Sequence, residues 1–211
     1  MKTNDLISLL AVDAAVGMRL GRMLALAVFA GVVASALVLL LTVGVRPNLA
    51  TAIETARVLF KIGFTLVLAI AACRLVFLVG QPGRSLKARG FRLAVPLVLL
   101  AIAVLSELSV LPSEAWTTSM LGKNAGFCLF FIPVLSLAPL AGFLFVLKNG
   151  APENPGLAGA SAGLAAGAIA ASLYAFHCPD DSPLFLAVWY SIAVLVITTV
   201  GYLIGRRWLR W

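Results

Sequence analysis

One of the three cysteines stands among residues whose side chains bind metal ions or protons. Cys178 lies in the segment His177-Cys178-Pro179-Asp180-Asp181-Ser182-Pro183, and Cys128 precedes it by 50 residues. Thiolates bind soft metal ions, form disulfides and react with oxidants, and an imidazole or a carboxylate adds a further ligand. The candidate sensing residues are therefore Cys128, Cys178, His177, Asp180 and Asp181, with the two cysteines as candidate metal ligands.

The same residues have plainer interpretations. Their spacing matches no known zinc motif, and a structural disulfide or two unpaired thiols would use the same cysteines. Cys73 lies beside Arg74 in an apolar run, where a thiol typically serves as a small apolar filler. We assign no role to Cys73.

The N-terminus carries a second candidate site, an amphipathic pattern. Leu6, Leu9 and Leu10 recur at helical spacing, and Asp5 suits the N-terminus of a helix. Asp13 interrupts the apolar stripe, whereas helices that lie among lipid headgroups have basic polar faces. A protein partner that offers a groove and a basic residue fits this pattern, and an interfacial anchor is the alternative.

Long apolar runs must position both sites. The chain has 211 residues, of which 62% are hydrophobic and 11% charged, whereas soluble domains have about 45–50% apolar and about 25% charged residues. About 20 apolar residues cross a bilayer. The sequence therefore predicts an all-α, polytopic membrane protein: a bundle of six transmembrane helices with a short cytoplasmic N-terminal amphipathic helix. The predicted spans are roughly Met23 to Val45, Val58 to Val79, Leu93 to Leu111, Gly126 to Leu147, Leu157 to Phe176 and Leu184 to Ile204.

The basic residues indicate how the bundle is oriented, because cytoplasmic segments are enriched in Lys and Arg. With the N-terminus inside, eleven of the sixteen basic residues are cytoplasmic, and Arg46, Arg57, Lys61 and Lys123 lie on the opposite face. Both termini are thus expected in the cytoplasm. The net charge of +8 follows from this distribution, so we expect no direct contact with nucleic acid. Three regions result: an N-terminal segment (1–22), a transmembrane domain (23–205) and a basic cytoplasmic tail (206–211).

Two further patterns lie within the spans. Arg74 and Glu107 are ionisable, and each is close enough to a span end for its side chain to reach the membrane surface. They would reach opposite surfaces, so we expect no ion pair between them. Gly159, Gly163 and Gly167 are spaced by four residues, which predicts close packing between helices. A sliding helix that transmits a signal is the alternative.

Several of these segments resemble a known family. The similar segments are the opening Met1-Lys2-Thr3-Asn4-Asp5-Leu6-Ile7, the pair Arg46-Pro47, and the block that runs from Gly156 through His177-Cys178-Pro179-Asp180-Asp181-Ser182-Pro183 to Trp189-Tyr190. They are similar to the NrsF-type membrane anti-sigma factors, negative regulators of an extracytoplasmic-function sigma factor. The resemblance covers essentially the whole chain.

The resemblance implies a regulator of the bacterial inner membrane, with no enzyme activity and no cofactor. Its cytoplasmic N-terminal segment would hold the sigma factor inactive through Asp5, Leu6, Leu9, Leu10 and Asp13. The two periplasmic cysteines of the family correspond to Cys128 and Cys178, and they matter for its response to heavy-metal or oxidative stress. The sequence leaves open which metal or oxidant is sensed, the resting state of the cysteines and the oligomeric state.

Two rival functional classes remain. A membrane thiol-disulfide oxidoreductase of the quinone-coupled kind typically has a Cys-x-x-Cys pair, which this sequence lacks. A small transporter would need a polar pathway through the spans, and their composition does not provide one.

Overall fold

The computed structural model describes residues 20–81, 91–150 and 152–210, including the side chains except those of residues 91 and 92. The described helices are α1 (Leu20–Thr42), α2 (Leu49–Ala52), α3 (Ala56–Val79), α4 (Phe91–Val110), α5 (Ser113–Leu121), α6 (Ala125–Lys148), α7 (Pro155–Tyr174) and α8 (Pro183–Trp208), and these ranges contain no strand. In α8, Leu186–Tyr190 form a π-helical turn. Six helices, all except α2 and α5, are long and apolar enough to cross a membrane. The six-helix, all-α fold is confirmed, whereas the predicted amphipathic helix falls almost entirely outside the described residues.

The six long helices alternate in direction, so the bundle has two ends. One end, which we call the thiol end, joins the last residues of α1, α4 and α7 to the first residues of α3, α6 and α8, and it carries Cys178. At the opposite end, the Lys148 ammonium lies 4.5 Å from the ring centroid of Trp208. This antiparallel arrangement brings residues from all six helices to the level of Cys178.

The core of the bundle is built around α7. Asn154 caps this helix by accepting a hydrogen bond from the Leu157 amide at 3.0 Å, and Pro155 occupies its first position, as is favourable at a helix start. Helices α3, α6 and α8 all pack on α7, and most of its residues are buried Ala, Gly and Ser. Small side chains are needed here because several neighbours approach the same helix.

Glycines allow the backbones of α7 and α8 to touch. A Cβ atom at Gly159 would overlap the carbonyl oxygen of Gly201, and one at Gly163 would overlap the carbonyl oxygen of Ile197. The spacing at Gly167 is wider, since a Cβ there would meet its nearest neighbour at 3.3 Å. The close packing predicted from these glycines is confirmed, whereas the facing glycines of α8 were not recognised in the sequence.

A proline and a serine join α1 to α6. Pro139 has no N–H, so the carbonyl of Leu135, four residues earlier, lacks its helical partner. The Ser35 hydroxyl donates to that carbonyl at 2.6 Å. One turn away, Gly31 lies so close that a Cβ atom would approach Pro139 to 2.8 Å. The two helices are thus held by a polar contact as well as by packing.

The connection between α4 and α6 differs from the expected loop. It contains α5, a helix with no buried residue. The Trp189 indole donates to the Met120 carbonyl at 3.0 Å, which attaches the end of α5 to α8. The hydropathy pattern gave no sign of this helix because α5 is too short to span the bilayer.

Replacing Gly163 by Ala tests the packing of α7 on α8. The added methyl group would overlap backbone atoms that no side-chain rotation can move away, so the free energy of unfolding should fall by about 1–3 kcal/mol. Gly63→Ala is the matched control, because a Cβ atom at that helical position meets nothing within 4 Å. Thermal or denaturant unfolding in detergent measures both variants. Equal stability in the two would contradict the packing described above.

Candidate functional site

The two candidate cysteines meet at the thiol end. Their Sγ atoms lie 3.8 Å apart, and both residues are completely buried. Cys128 belongs to the first turn of α6, and Cys178 to the segment 175–182 that joins α7 to α8, which we call the thiol loop. Both are free thiols. Since the sulfurs of a disulfide are about 2.05 Å apart, bridging them would require an approach of about 1.8 Å.

Lys61 fixes the thiol loop from α3. Its Nζ donates to the carbonyl oxygens of Cys178 at 2.7 Å and Asp180 at 3.0 Å, and to the Asp181 carboxylate at 3.0 Å. These acceptors use all three donors of the ammonium group. Such saturation is what allows a charged side chain to be 0% exposed.

The sequence interpretation counted Lys61 among the basic residues of the opposite face and gave it no partner; the structure places it at the thiol end, completely buried. It lies inside α3, and its carboxylate partner is 120 residues away in sequence. No local pattern predicts a contact of that separation. A lysine within a predicted span was the available signal, because such charges are usually functional or paired.

Arg46, four residues after the end of α1, is the second cation of the site. Its Nη1 donates to the two Asp181 carboxylate oxygens at 2.8 and 3.1 Å and lies 3.4 Å from the Cys178 carbonyl oxygen. Its backbone N–H donates to the Phe176 carbonyl at 3.2 Å. Arg46 is 6% exposed, so Asp181 is shared between two buried cations.

Asp180 binds a different helix. Its carboxylate accepts hydrogen bonds from the backbone N–H groups of Lys123 and Asn124 and from the Asn124 amide, at 2.8 to 3.3 Å. These donors lie at the N-terminus of α6, where unpaired N–H groups and the helix dipole favour an anion. Asp180 therefore docks the thiol loop onto the helix that carries Cys128.

His177 bonds to the backbone that follows α1. Its Nδ1 lies 2.9 Å from the carbonyl oxygen of Gly44, so this nitrogen carries the proton and donates it. Gly44 has a φ of +67°, a conformation that glycine adopts without steric cost. Within the described ranges, no group of three or more His, Cys, Asp and Glu residues is arranged to hold a metal ion. A metal bound here would have the two thiols as its protein ligands, without the imidazole.

Glu107 connects α4 to the same site. It lies at the thiol end, as expected, but its carboxylate does not extend to the membrane surface. It is 8% exposed, pairs with Arg57 at 3.0 Å and accepts a hydrogen bond from the Ser182 hydroxyl at 3.2 Å. A nearby cation and a nearby hydroxyl satisfy the carboxylate inside the protein. Arg74, in contrast, is exposed on α3.

The two thiols differ in their tendency to ionise. A hydrogen bond from the Cys128 thiol and, to a lesser extent, the Lys61 ammonium lower the pKa of the Cys178 thiol to about 7, although burial acts in the opposite direction. A thiolate is the form that binds metals and attacks disulfides. Cys178 is therefore the member of the pair whose thiolate its surroundings favour.

The N-terminal candidates Asp5, Leu6, Leu9, Leu10 and Asp13 lie outside the described residues.

Comparisons with known proteins agree over the whole chain. The model of the NrsF family, described as "Negative regulator of sigma F", matches residues 10–211. The probable anti-sigma-F factor NrsF of Azospira oryzae is 33% identical, and the anti-sigma-F factor NrsF of Caulobacter vibrioides is 37% identical. Each alignment covers 100% of both chains. No solved structure matches the chain significantly.

The reactivity of Cys178 should depend on pH and on Lys61. Oxidation of the pair by a small membrane-permeant disulfide should accelerate as the pH rises through about 7, because the thiolate is the attacking form. Lys61→Met removes a cation that favours this thiolate, so the midpoint should move to higher pH and the rate at pH 7 should fall several-fold. Arg57→Met is the control at the same end of the bundle. Identical midpoints in the parent protein and Lys61→Met would exclude this role of the ammonium.

Proposed function

The chain belongs to the NrsF family of negative regulators of a sigma factor, and we propose that it sequesters an extracytoplasmic-function sigma factor at the membrane and releases it under heavy-metal or oxidative stress. Proteins of this family are regulators and not enzymes. The observation that carries the proposal is the buried pair Cys128 and Cys178, whose sulfurs are 3.8 Å apart. Thiophilic metals and oxidants are the reagents that change the state of such a pair.

The sigma factor binds the N-terminal segment, residues 1–22. Leu6, Leu9 and Leu10 provide the apolar contact, and Asp5 and Asp13 provide charge complementarity. The segment runs directly into α1, which begins at Leu20, so the bound partner is held at the membrane. A segment of this length gives an interface at the low end for specific complexes, below about 1,200 Å².

The bundle lies in the bacterial inner membrane with its thiol end in the periplasm and both termini in the cytoplasm. The positive-inside distribution of Lys and Arg supports this orientation. Three cations at the thiol end, Arg46, Arg57 and Lys61, are paired with carboxylates of Asp181 and Glu107. Their presence on the periplasmic side therefore follows from ion pairing and does not oppose the rule.

The switch is the state of the two thiols. An oxidant removes two electrons from the pair, the S–S bond forms and two protons leave; a soft metal ion bridges two thiolates and also displaces their protons. Either event favours an arrangement in which Cys178 is fixed against α6. A stimulus can shift an equilibrium only by its difference in affinity for two arrangements, and the thiols supply that difference. His177, Asp180 and Asp181 hold the loop whose position the stimulus changes.

Charges placed in the N-terminal segment should release the sigma factor. Leu6→Asp with Leu9→Asp removes the apolar contact, so co-purification of the sigma factor should be lost while the protein stays in the membrane fraction. Lys2→Ala is the control in the same segment. If the double variant captures the sigma factor undiminished, the binding surface lies elsewhere, at the basic residues from Arg84 to Arg92.

The orientation has its own test. An alkaline phosphatase fusion at either terminus should be inactive, as expected for a cytoplasmic end.

Replacing the thiols should abolish the stress response. Cys128→Ser with Cys178→Ser should leave membrane insertion and sigma-factor binding intact, while induction of a sigma-dependent reporter by cadmium or a thiol oxidant should fall at least about tenfold, because neither bridge can form. Cys73→Ser should respond like the parent protein. Thiol trapping reports the resting state of the pair. A normal response in the double variant would remove these thiols from the mechanism.

A further inference from the structure

We propose that Arg46 is the positioning residue that couples the thiol loop to α1 and thereby to the N-terminal segment. The inference rests on the proposed function in one respect: Cys178 is the responding residue and residues 1–22 bind the sigma factor. It adds the route between them. Of the cations that contact the thiol loop in the described structure, Arg46 is the one that follows α1 directly in the chain.

The end of α1 is attached to the thiol loop by consecutive contacts. The Gly44 carbonyl accepts from His177 at 2.9 Å, and the Arg46 backbone N–H donates to Phe176 at 3.2 Å. The Arg46 guanidinium then binds the Asp181 carboxylate at 2.8 Å and reaches the carbonyl oxygen of Cys178 itself. Among the residues that follow α1, Arg46 is therefore the one whose side chain reaches the backbone of Cys178.

Helix α1 also contacts the element that carries the other thiol. Ser35 binds the Leu135 carbonyl of α6, and Gly31 packs against Pro139. Toward its first turns, α1 also packs Ala27 against Gly142 of α6 and Gly21 against Phe77 of α3. A change in the position of the thiol loop relative to α6 thus acts on α1 at two places, its C-terminal extension and its contact with α6.

The distance between the sulfurs of Cys128 and Cys178 sets how far the atoms must move when a disulfide forms. Closing the sulfur separation from 3.8 Å to about 2.05 Å needs an approach of about 1.8 Å. Cys128 is held in a regular helical turn of α6, whereas Cys178 lies in the eight-residue thiol loop. Any part of this approach that rotation of the two side chains does not supply requires the loop to shift relative to α6. The Cys178 carbonyl lies 3.4 Å from Arg46 Nη1, near the limit for a hydrogen bond, so a shift of this size changes the contact.

Lys61 cannot replace Arg46 in this role. Its ammonium contacts the same carbonyl and the same carboxylate, but it belongs to α3, which lies after α1 in the chain and packs mainly on α7. Lys61 holds the loop against the centre of the bundle. Arg46 connects the loop to the helix that continues into residues 1–22.

The experiment compares full-length parent protein with Arg46→Gln in lipid nanodiscs, with the sigma factor as ligand. In Arg46→Gln, Lys61 still neutralises Asp181, and the backbone contacts at Gly44 and Arg46 persist, so the reduced protein should bind the sigma factor as the parent does. Oxidation should form the disulfide equally in both. The loss of sigma affinity on oxidation should be at least about fivefold smaller in Arg46→Gln, and Arg46→Lys should restore part of it. Arg57→Gln, which breaks the Glu107 pair at the same end, should behave like the parent.

Hydrogen exchange of α1 gives a second readout that does not depend on where the sigma factor binds. In the parent protein, oxidation should change the exchange rate of amides in the first turns of α1 several-fold, and in Arg46→Gln it should not. Sigma release from oxidised Arg46→Gln equal to that of the parent, or unchanged α1 exchange in the oxidised parent, would overturn the inference. A parent that forms the disulfide, shows the α1 change and keeps its sigma factor would instead refute the proposed function and leave the coupling standing.

Discussion

Two buried cations on one carboxylate determine how the thiol end is built. Lys61 and Arg46 both bind Asp181, and Lys61 also donates hydrogen bonds to the carbonyl oxygens of Cys178 and Asp180. The two cations are stable in this apolar place because Asp181 is present, and removing that carboxylate would leave two uncompensated buried charges. The thiol loop is therefore confined to one position against α1 and α3. That position puts Cys178 opposite Cys128.

The adjacent acids Asp180 and Asp181 bind different parts of the bundle. Asp180 binds the N-terminus of α6, and Asp181 faces the cations of α1 and α3. Ser182 extends the network to Glu107 of α4 and accepts from the first turn of α8. One short loop thus bonds to elements from across the whole bundle.

Length and hydropathy were sufficient to predict the six spans, and the alternation of direction was enough to bring Cys128 and Cys178 to one level. The glycine spacing in α7 predicted close packing because it depends on a single helix. The ion pairs could not be predicted in this way. The pairs Arg46–Asp181 and Lys61–Asp181 join residues more than 100 positions apart, and each depends on how a helix is rotated about its axis, which hydropathy does not report. The resemblance of the chain to its family supplied the regulatory class, and the role of residues 1–22 stays a prediction.

The hydrogen bond from Ser35 to the Leu135 carbonyl, which Pro139 leaves without a helical partner, is a fixed point of contact between α1 and α6. Gly31, one helical turn from Ser35, brings the two backbones together there. At about 1.5 Å of rise per residue, the arm from Ser35 to Thr42 is about 10 Å long and the arm from Ser35 to Leu20 about 22 Å. A rigid α1 pivoting at this point would turn a displacement at the thiol end into one about twice as large, and opposite in direction, where the chain enters the N-terminal segment.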